Sequence, residues 1–113
     1  LERDFKPPFG PSTESPASPK YLDGGYWRGP VWAPSTFLVV EGLFDGGVGD
    51  LAASLAEGFC RAVEASEGFY ENYSATDGRG LDDPGYTWTA AVYLLLRNRL
   101  TREKEKFNGQ DCT

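Results

Sequence analysis

Three apolar segments with helical spacing, separated by glycine-rich stretches, constrain this sequence of 113 residues most strongly. Apolar residues that recur every three to four positions indicate helices with one face on a core. The predicted helices span about residues 34–43 and 50–66, and a third begins near residue 87 and frays after Leu100. The sequence therefore predicts an all-α fold of three main helices joined by Gly-rich loops.

The predicted helices differ in how much of their surface is apolar. The apolar run 37–40 is broader than one stripe, so we expect the first helix to be buried on most sides. Asp50 suits the N-cap of the second helix. The core face of the second helix comprises Leu51, Leu55, Phe59 and Val63. The core face of the third comprises Trp88, Ala91, Val92, Leu95 and Leu96.

The first 30 residues are rich in proline, serine and glycine. Because proline has a restricted φ and no backbone donor, residues 6–20 are predicted to form an irregular arm along the surface. The sequence also begins at Leu1 and contains no methionine, which indicates a piece of a longer protein.

Composition excludes several classes of function. A net charge of −6 argues against nucleic acid, since phosphates require clustered Lys and Arg. The absence of histidine excludes His-based triads and most zinc sites. Two cysteines, Cys60 and Cys112, do not form a disulfide framework, and Cys60 is expected to be a small buried residue. No apolar run is long enough to span a membrane, and no signal peptide is visible. The compartment stays open, with the cytoplasm slightly favoured.

An aromatic cluster with an arginine lies at residues 24–32, in Gly-Gly-Tyr-Trp-Arg-Gly-Pro-Val-Trp. The rings of Trp27 and Trp32 are suited to stacking on a pyranose, and the Arg28 guanidinium is suited to binding hydroxyl or carboxylate oxygens. The alternative is that Trp27 and Trp32 fill a core beneath a tight turn.

A glutamate flanked by aromatic residues lies at 69–73, in Phe-Tyr-Glu-Asn-Tyr. Aromatic neighbours could place the Glu71 carboxylate in a partly desolvated pocket, where its orientation is controlled, as a base that activates water requires. The alternative is an ordinary surface glutamate whose neighbouring rings pack inward.

Three further carboxylates, Asp77, Asp82 and Asp83, follow within a stretch rich in turn residues. They lack the regular spacing of a calcium-binding loop. Asp82 and Asp83 precede Pro84, an arrangement typical of turns and helix caps. We therefore predict no metal site and no cofactor.

These motifs resemble glycoside hydrolase family 63, which is related to the trehalases. Residues 25–32 and 35–43 resemble a late helix of that family, and 68–73, 78–81 and 86–91 resemble its closing motif. Residues 9–13 are similar to the loop that precedes the Trp-Arg-Gly motif. The family includes processing α-glucosidases (mannosyl-oligosaccharide glucosidases) and bacterial mannosylglycerate or glucosylglycerate hydrolases. The resemblance covers about residues 9–96, in the family's order.

The resemblance implies the C-terminal part of an (α/α)6 toroid whose loops line a sugar-binding funnel. It implies that Glu71 is the general base and that Trp27, Arg28 and Trp32 line the sugar pocket, with Trp88 as a further wall. The family inverts the anomeric centre, so the acid and the base should stand about 6.5–9.5 Å apart.

The sequence departs from a complete family member because it supplies three helices of about twelve. The family's general acid has no counterpart, since Asp23, Asp77, Asp82 and Asp83 lie in other motifs, and Ala33 replaces a frequent proline. We divide the chain into an arm with the sugar-pocket loop (1–30), a helical segment of the barrel (31–107) and a tail (108–113).

The leading hypothesis is a fragment of an inverting glycosidase for α-glucosides or α-mannosides, inactive by itself. Its expected partners are an oligosaccharide or small glycoside and the rest of the barrel or a second copy of the chain, without nucleic acid or membrane. The alternatives are a non-catalytic remnant that self-associates or binds carbohydrate, and an unrelated helical interaction module.

Overall fold

The computed structural model describes the backbone of residues 8–111 and the side chains of residues 8–106. Cys112 therefore lies outside the described residues. Within them the chain forms three helices and a small antiparallel sheet, in the order β1-β2-β3. In chain order the elements are β1 (Val31–Trp32), α1 (Ala33–Asp45), α2 (Gly49–Ser66), β2 (Asn72–Tyr73), β3 (Gly80–Leu81) and α3 (Thr87–Asp111).

All three predicted helices are present, with differences at their ends. The fraying predicted after Leu100 is wrong, because α3 continues to Asp111. Asp50 is not the N-cap of α2, because the helix begins one residue earlier and Val48 occupies that position without a side-chain hydrogen bond. Asp50 lies instead in the first turn, where a carboxylate interacts favourably with the helix dipole.

The core lies where the three helices meet. Leu55, Phe59 and Val63 of α2 are buried, as the sequence predicts, and Cys60 is a buried free thiol whose pKa burial raises to about 12. The core face predicted for α3 is partly wrong. Its buried residues are Thr89, Val92, Leu96 and Leu100. The exposed members of the predicted face are Trp88, Ala91 and Leu95.

The first helix is not buried on most sides. Its buried residues are Ala33, Thr36 and Val40, whereas Leu38 is 71% exposed. Leu94 and Leu95 of α3 are also exposed, at 66% and 50%. Apolar sequence patterns cannot show whether a packing neighbour belongs to the same chain, which explains the error.

Two arginines of α3 connect it to the other helices. Arg97 binds Glu57 at 3.0 Å and Glu64 at 2.8 Å, both on α2. Arg99 binds Glu41 of α1 at 2.6 Å and lies over the ring of Phe44. The charged faces of α1 and α2 therefore take part in helix packing as well as facing solvent.

Residues 6 and 7 of the predicted arm lie outside the described residues; from residue 8 to 20 the arm is irregular, as predicted, but part of it is buried. Gly10, Pro11 and Ser12 have little exposed surface, and Ser12 forms a bridge with Val31 of β1. The carbonyl oxygen of Pro8 accepts a hydrogen bond from Arg61 of α2 at 3.0 Å. The arm thus packs along α2 towards the sheet.

We expect Gly58→Ala to destabilise the chain, although alanine favours helices over glycine by about 1 kcal/mol. A Cβ at position 58 of α2 would overlap the carbonyl oxygen of Pro8, so the arm would have to move. Urea denaturation measures the effect. Gly42→Ala on α1 is the matched control and should be stabilising, because a Cβ there would meet nothing within 4 Å among the described residues. Equal stabilisation by both changes would contradict the packing of the arm on α2.

Across residues 8–111, no helix is both long enough and apolar enough to cross a membrane.

Candidate functional site

The small sheet brings together the two aromatic motifs of the sequence. Strand β1 ends the first motif and β2 lies within the second, and Trp32 pairs directly with Asn72. Glu71 immediately precedes β2. The two motifs, separated by about 40 residues in the chain, therefore form one site.

The Glu71 side chain is nearly buried, with 8% of its surface exposed. Its backbone N–H donates to the carbonyl of Asp83 at 2.8 Å, which aligns residues 69–71 beside residues 83–86. Its carboxylate oxygen Oε1 accepts a hydrogen bond from the Tyr26 hydroxyl. Glu71 is therefore not an ordinary surface glutamate, and both its backbone and its carboxylate have defined partners.

Two tyrosines, Tyr26 and Tyr86, interact with the Glu71 carboxylate. The hydrogen bond to Glu71 raises the pKa of Tyr26 to about 12. Burial raises the pKa of Tyr86, and the negative charge of Glu71 contributes further. Both phenols therefore lie close to the Glu71 carboxylate.

Tyr26 reaches Glu71 from a tight loop, residues 22–28. The backbone N–H of Leu22 donates to the carbonyl of Arg28 at 2.9 Å and closes this loop at its base. Tyr26 has φ of 63°, a left-handed conformation that is uncommon for residues other than glycine. Such local strain is typical of functional sites. The sequence motif gives no direct indication of this conformation.

The three tryptophans of the chain meet beside this loop but differ in exposure. Trp27 stacks on Trp32 with ring centroids 3.8 Å apart, and Trp88 contacts Trp32 edge-on at 6.1 Å. Trp32 has no exposed surface, and its Nε1 donates to the carbonyl of Tyr26 at 2.8 Å. Trp27 and Trp88 are 51% and 39% exposed. Trp32 fills the space beneath the loop, whereas Trp27 and Trp88 present faces to solvent.

Arg28 is exposed at the end of the loop, and its backbone N–H donates to the carbonyl of Gly25 at 3.1 Å. The pocket-lining roles that the sequence predicts for Trp27, Arg28, Trp32 and Trp88 stay predictions. The geometry favours Trp27 and Trp88 for direct contact with a sugar, because their rings are accessible.

A shallow hollow of about 360 Å³ lies at the N-terminal end of α3. It is lined by Asp83, Gly85, Tyr86, Thr87 and Trp88. A larger groove of about 820 Å³ lies elsewhere, between the start of α2 and the later turns of α3, and includes Phe44 and Leu100. The larger groove contains none of the aromatic residues of the Glu71 site.

Of the two aspartates predicted to serve turns or helix caps, Asp83 takes part in a turn, whereas Asp82 bonds to Asn72 of β2. The Asp83 carboxylate accepts a hydrogen bond from the backbone N–H of Gly85. The Asp82 carboxylate accepts one from the side-chain amide of Asn72, and both distances are 2.8 Å. Asp77 pairs with Arg79 at 2.7 Å. Among the residues whose side chains are described, no three His, Cys, Asp or Glu side chains are grouped to hold a metal ion.

Sequence reasoning missed Tyr26 and Tyr86 as partners of Glu71. Tyr26 lies next to Trp27 and Tyr86 lies two residues before Trp88, so their position beside tryptophans was the signal in the sequence. It also missed Asp23, which lies at the base of the loop and contacts the turn after β2.

Residues 1–89 match the mannosylglycerate hydrolase MGH1-like glycoside hydrolase domain. The chain is 42% identical over 80 residues to the mannosylglycerate hydrolase of Thermus thermophilus, covering 71% of this chain and 19% of that protein. It is 37% identical over 92 residues to the glucosylglycerate hydrolase of Mycolicibacterium hassiacum, covering 80% of this chain and 20% of that protein.

The fold is similar to a solved glycosidase structure. The crystal structure of a glycoside hydrolase family 63 mannosylglycerate hydrolase from Thermus thermophilus, in complex with Tris and D-glycerate, matches with a TM-score of 0.73 and 36% identity. The match covers 79% of this chain and 21% of that chain. The chain spans about a fifth of the length of these relatives. Its three helices and small sheet correspond to one part of a helical toroid.

Proposed function

The chain belongs to the mannosylglycerate hydrolase MGH1-like glycoside hydrolase family, and from this premise we propose that it supplies the general base of an inverting glycosidase. In this proposal Glu71 removes a proton from the water that attacks the anomeric carbon. The substrate is a small α-mannoside or α-glucoside, in keeping with the mannosylglycerate and glucosylglycerate hydrolases among its relatives.

The nearly buried Glu71 carboxylate, with Tyr26 donating to one of its oxygens, carries the proposal. A general base acts efficiently when its geometry relative to the attacking water is restricted. The hydrogen bond from Tyr26 restricts rotation of the carboxylate. The adjacent exposed face of Trp27 offers a surface on which a pyranose ring can stack.

The general acid of the reaction comes from polypeptide outside the described residues. The aspartates near Glu71 are engaged elsewhere: Asp23 and Asp77 with Arg79, Asp82 with Asn72, and Asp83 with the turn at Gly85. An inverting pair also needs room for a water between its two carboxyl groups. The remaining part of a barrel is therefore the partner that completes the site.

The anomeric form of the first product tests this function. A protein that joins this chain to the other barrel segments of a relative should hydrolyse mannosylglycerate or glucosylglycerate. Proton NMR at early times should show the β-sugar from the α-glycoside, and the 113-residue chain alone should release none. Accumulation of the α-sugar first would contradict inversion, and no hydrolysis of either glycoside would contradict the substrate class.

A second candidate function is a non-catalytic remnant that self-associates. The observation that favours it is the exposure of Leu38, Leu94 and Leu95 on α1 and α3. Exposed aliphatic side chains of this kind promote association between copies. Size-exclusion chromatography with light scattering distinguishes the cases, because a monomer over the working concentration range would count against self-association.

A further inference from the structure

The loop that carries Tyr26 and Trp27 is attached to the molecule at its base through Asp23. The Asp23 oxygen Oδ1 accepts hydrogen bonds from the hydroxyls of Tyr21 at 2.5 Å and Ser74 at 2.8 Å. Its Oδ2 lies 3.3 Å from Nη1 of Arg79. Ser74 and Arg79 belong to the turn that joins β2 to β3, so Asp23 connects the loop to that turn.

We propose that Asp23 is a positioning residue for the Glu71 site, because it fixes the base of the loop that places Tyr26 and Trp27 beside the carboxylate. The inference deepens the proposed function and rests on it. Asp23 itself does not contact the reacting atoms in this proposal. It acts through the orientation of the loop relative to β2.

The loop is attached to the residues on both sides of β2, and this geometry supports the positioning role of Asp23. Tyr26, near the tip of the loop, bonds to Glu71, which precedes β2. Asp23, at the base, bonds to Ser74, which follows β2. Two contacts separated by the length of a strand restrict rotation of the loop about either one. Without the Asp23 contact, the tip of the loop would be oriented by the hydrogen bond of Tyr26 to Glu71 and by the stacking of Trp27 on Trp32.

Tyr21, which immediately precedes the loop, strengthens the attachment at its base. Its hydroxyl donates to Asp23 and accepts the backbone N–H of Ala75 at 3.2 Å. Burial, followed by the hydrogen bond to Asp23, raises the pKa of Tyr21 to about 12. Gly29 lies against the Tyr21 ring, where a Cβ would be only 2.8 Å from ring carbons. The loop base is therefore closely packed as well as hydrogen-bonded.

Hydrogen exchange in the 113-residue chain tests the attachment without any enzyme assay. In Asp23→Ala, the amides of Leu22, Gly25 and Arg28 should exchange at least about tenfold faster, since bonds to a charged group are among the stronger hydrogen bonds. Amides within α2 should keep their rates, which shows that the variant is folded. Unchanged exchange in the loop would overturn the proposal.

Asp77→Ala is the matched control. Asp77 binds the same Arg79 side chain at 2.7 Å and lies on the same turn, but its hydrogen bonds stay within that turn. Loop exchange in Asp77→Ala should therefore match that of the unchanged chain. Equal acceleration by both substitutions would assign the effect to the turn in general and would overturn the specific role of Asp23.

Kinetics in an active protein containing this segment test the consequence for the site. Asp23→Ala should lower kcat by about 10- to 100-fold, because displacement of reacting groups by about 1 Å has effects of that size. Asp23→Asn keeps an acceptor oxygen for Tyr21 and Ser74, so it should recover most of the activity with an unchanged pH profile. Loss of one limb of the pH profile in Asp23→Asn would mean that Asp23 takes part in proton transfer, and would overturn a positioning role. Full activity of Glu71→Gln would instead refute the proposed function and leave the exchange result standing.

Discussion

Glu71→Gln is expected to lower the turnover of an active protein containing this segment by about 10²- to 10⁴-fold, the usual contribution of a general base. Glutamine has nearly the same shape and retains a carbonyl oxygen that can accept the Tyr26 hydroxyl, so the fold should be preserved. It cannot take a proton from water at neutral pH. Steady-state kinetics on the glycoside, with KM measured separately, would show a loss concentrated in kcat.

The control for this substitution is Glu67→Gln. Glu67 is an exposed residue at the C-terminal end of α2, so its charge can be removed without touching the Glu71 carboxylate. Turnover should change little in this variant. Unchanged turnover in Glu71→Gln would reject the base assignment outright.

Azide provides a further discriminating measurement on Glu71→Gln. Azide is a nucleophile that needs no deprotonation, so it should partly restore cleavage when the base is missing but the acid remains. The product should be the glycosyl azide of inverted configuration. Absence of rescue, together with a raised KM, would indicate that the substitution damaged binding and not proton transfer.

Trp32→Ala is expected to destabilise the chain by about 3–5 kcal/mol, as does truncation of a fully buried aromatic residue. Trp32 has no exposed surface, packs against three other rings and donates to the carbonyl of Tyr26. Its loss would leave a cavity beneath the aromatic loop. Equilibrium urea denaturation followed by circular dichroism measures the change in the free energy of unfolding.

Trp27→Ala is the natural comparison, since Trp27 stacks on Trp32 and is half exposed. Its stability cost should be smaller, about 1 kcal/mol, because less surface returns to water. Its effect on sugar affinity should be larger than its effect on stability if Trp27 is the stacking face. Equal destabilisation by both substitutions would contradict the assignment of Trp32 to the core and Trp27 to the surface.

The helices could be predicted because their information is local. Leu55, Phe59 and Val63 recur at helical spacing, and their side chains are buried on one face of α2. The buried face of α3 was predicted less well, because Ala91 and Leu95 were assigned to it and are exposed. Periodicity identifies a helix, but it does not determine which of two adjacent apolar stripes meets a neighbour within the chain.

The candidate site was predictable in its composition and only partly in its arrangement. The motifs around Trp27 and Glu71 have the residue types of a sugar-binding site, and resemblance to known glycosidases implies that both belong to one site. The three-stranded sheet that joins them was not predicted. Its strands have two residues each, too few for a two-residue alternation to be visible in the sequence.

The amino-acid sequence alone was sufficient to predict the three helices and the glycine-rich connections between them. It was also sufficient to exclude sites that depend on histidine and to identify the resemblance to a glycosidase family. These features depend on local spacing and on motifs read along the chain. Three-dimensional packing was needed to separate buried Trp32 from exposed Trp27, to bring Tyr26 to Glu71 across 45 positions, and to join Asp23 to Ser74. The reason is that burial and hydrogen bonding between distant residues depend on how the elements pack, and no local pattern encodes that arrangement.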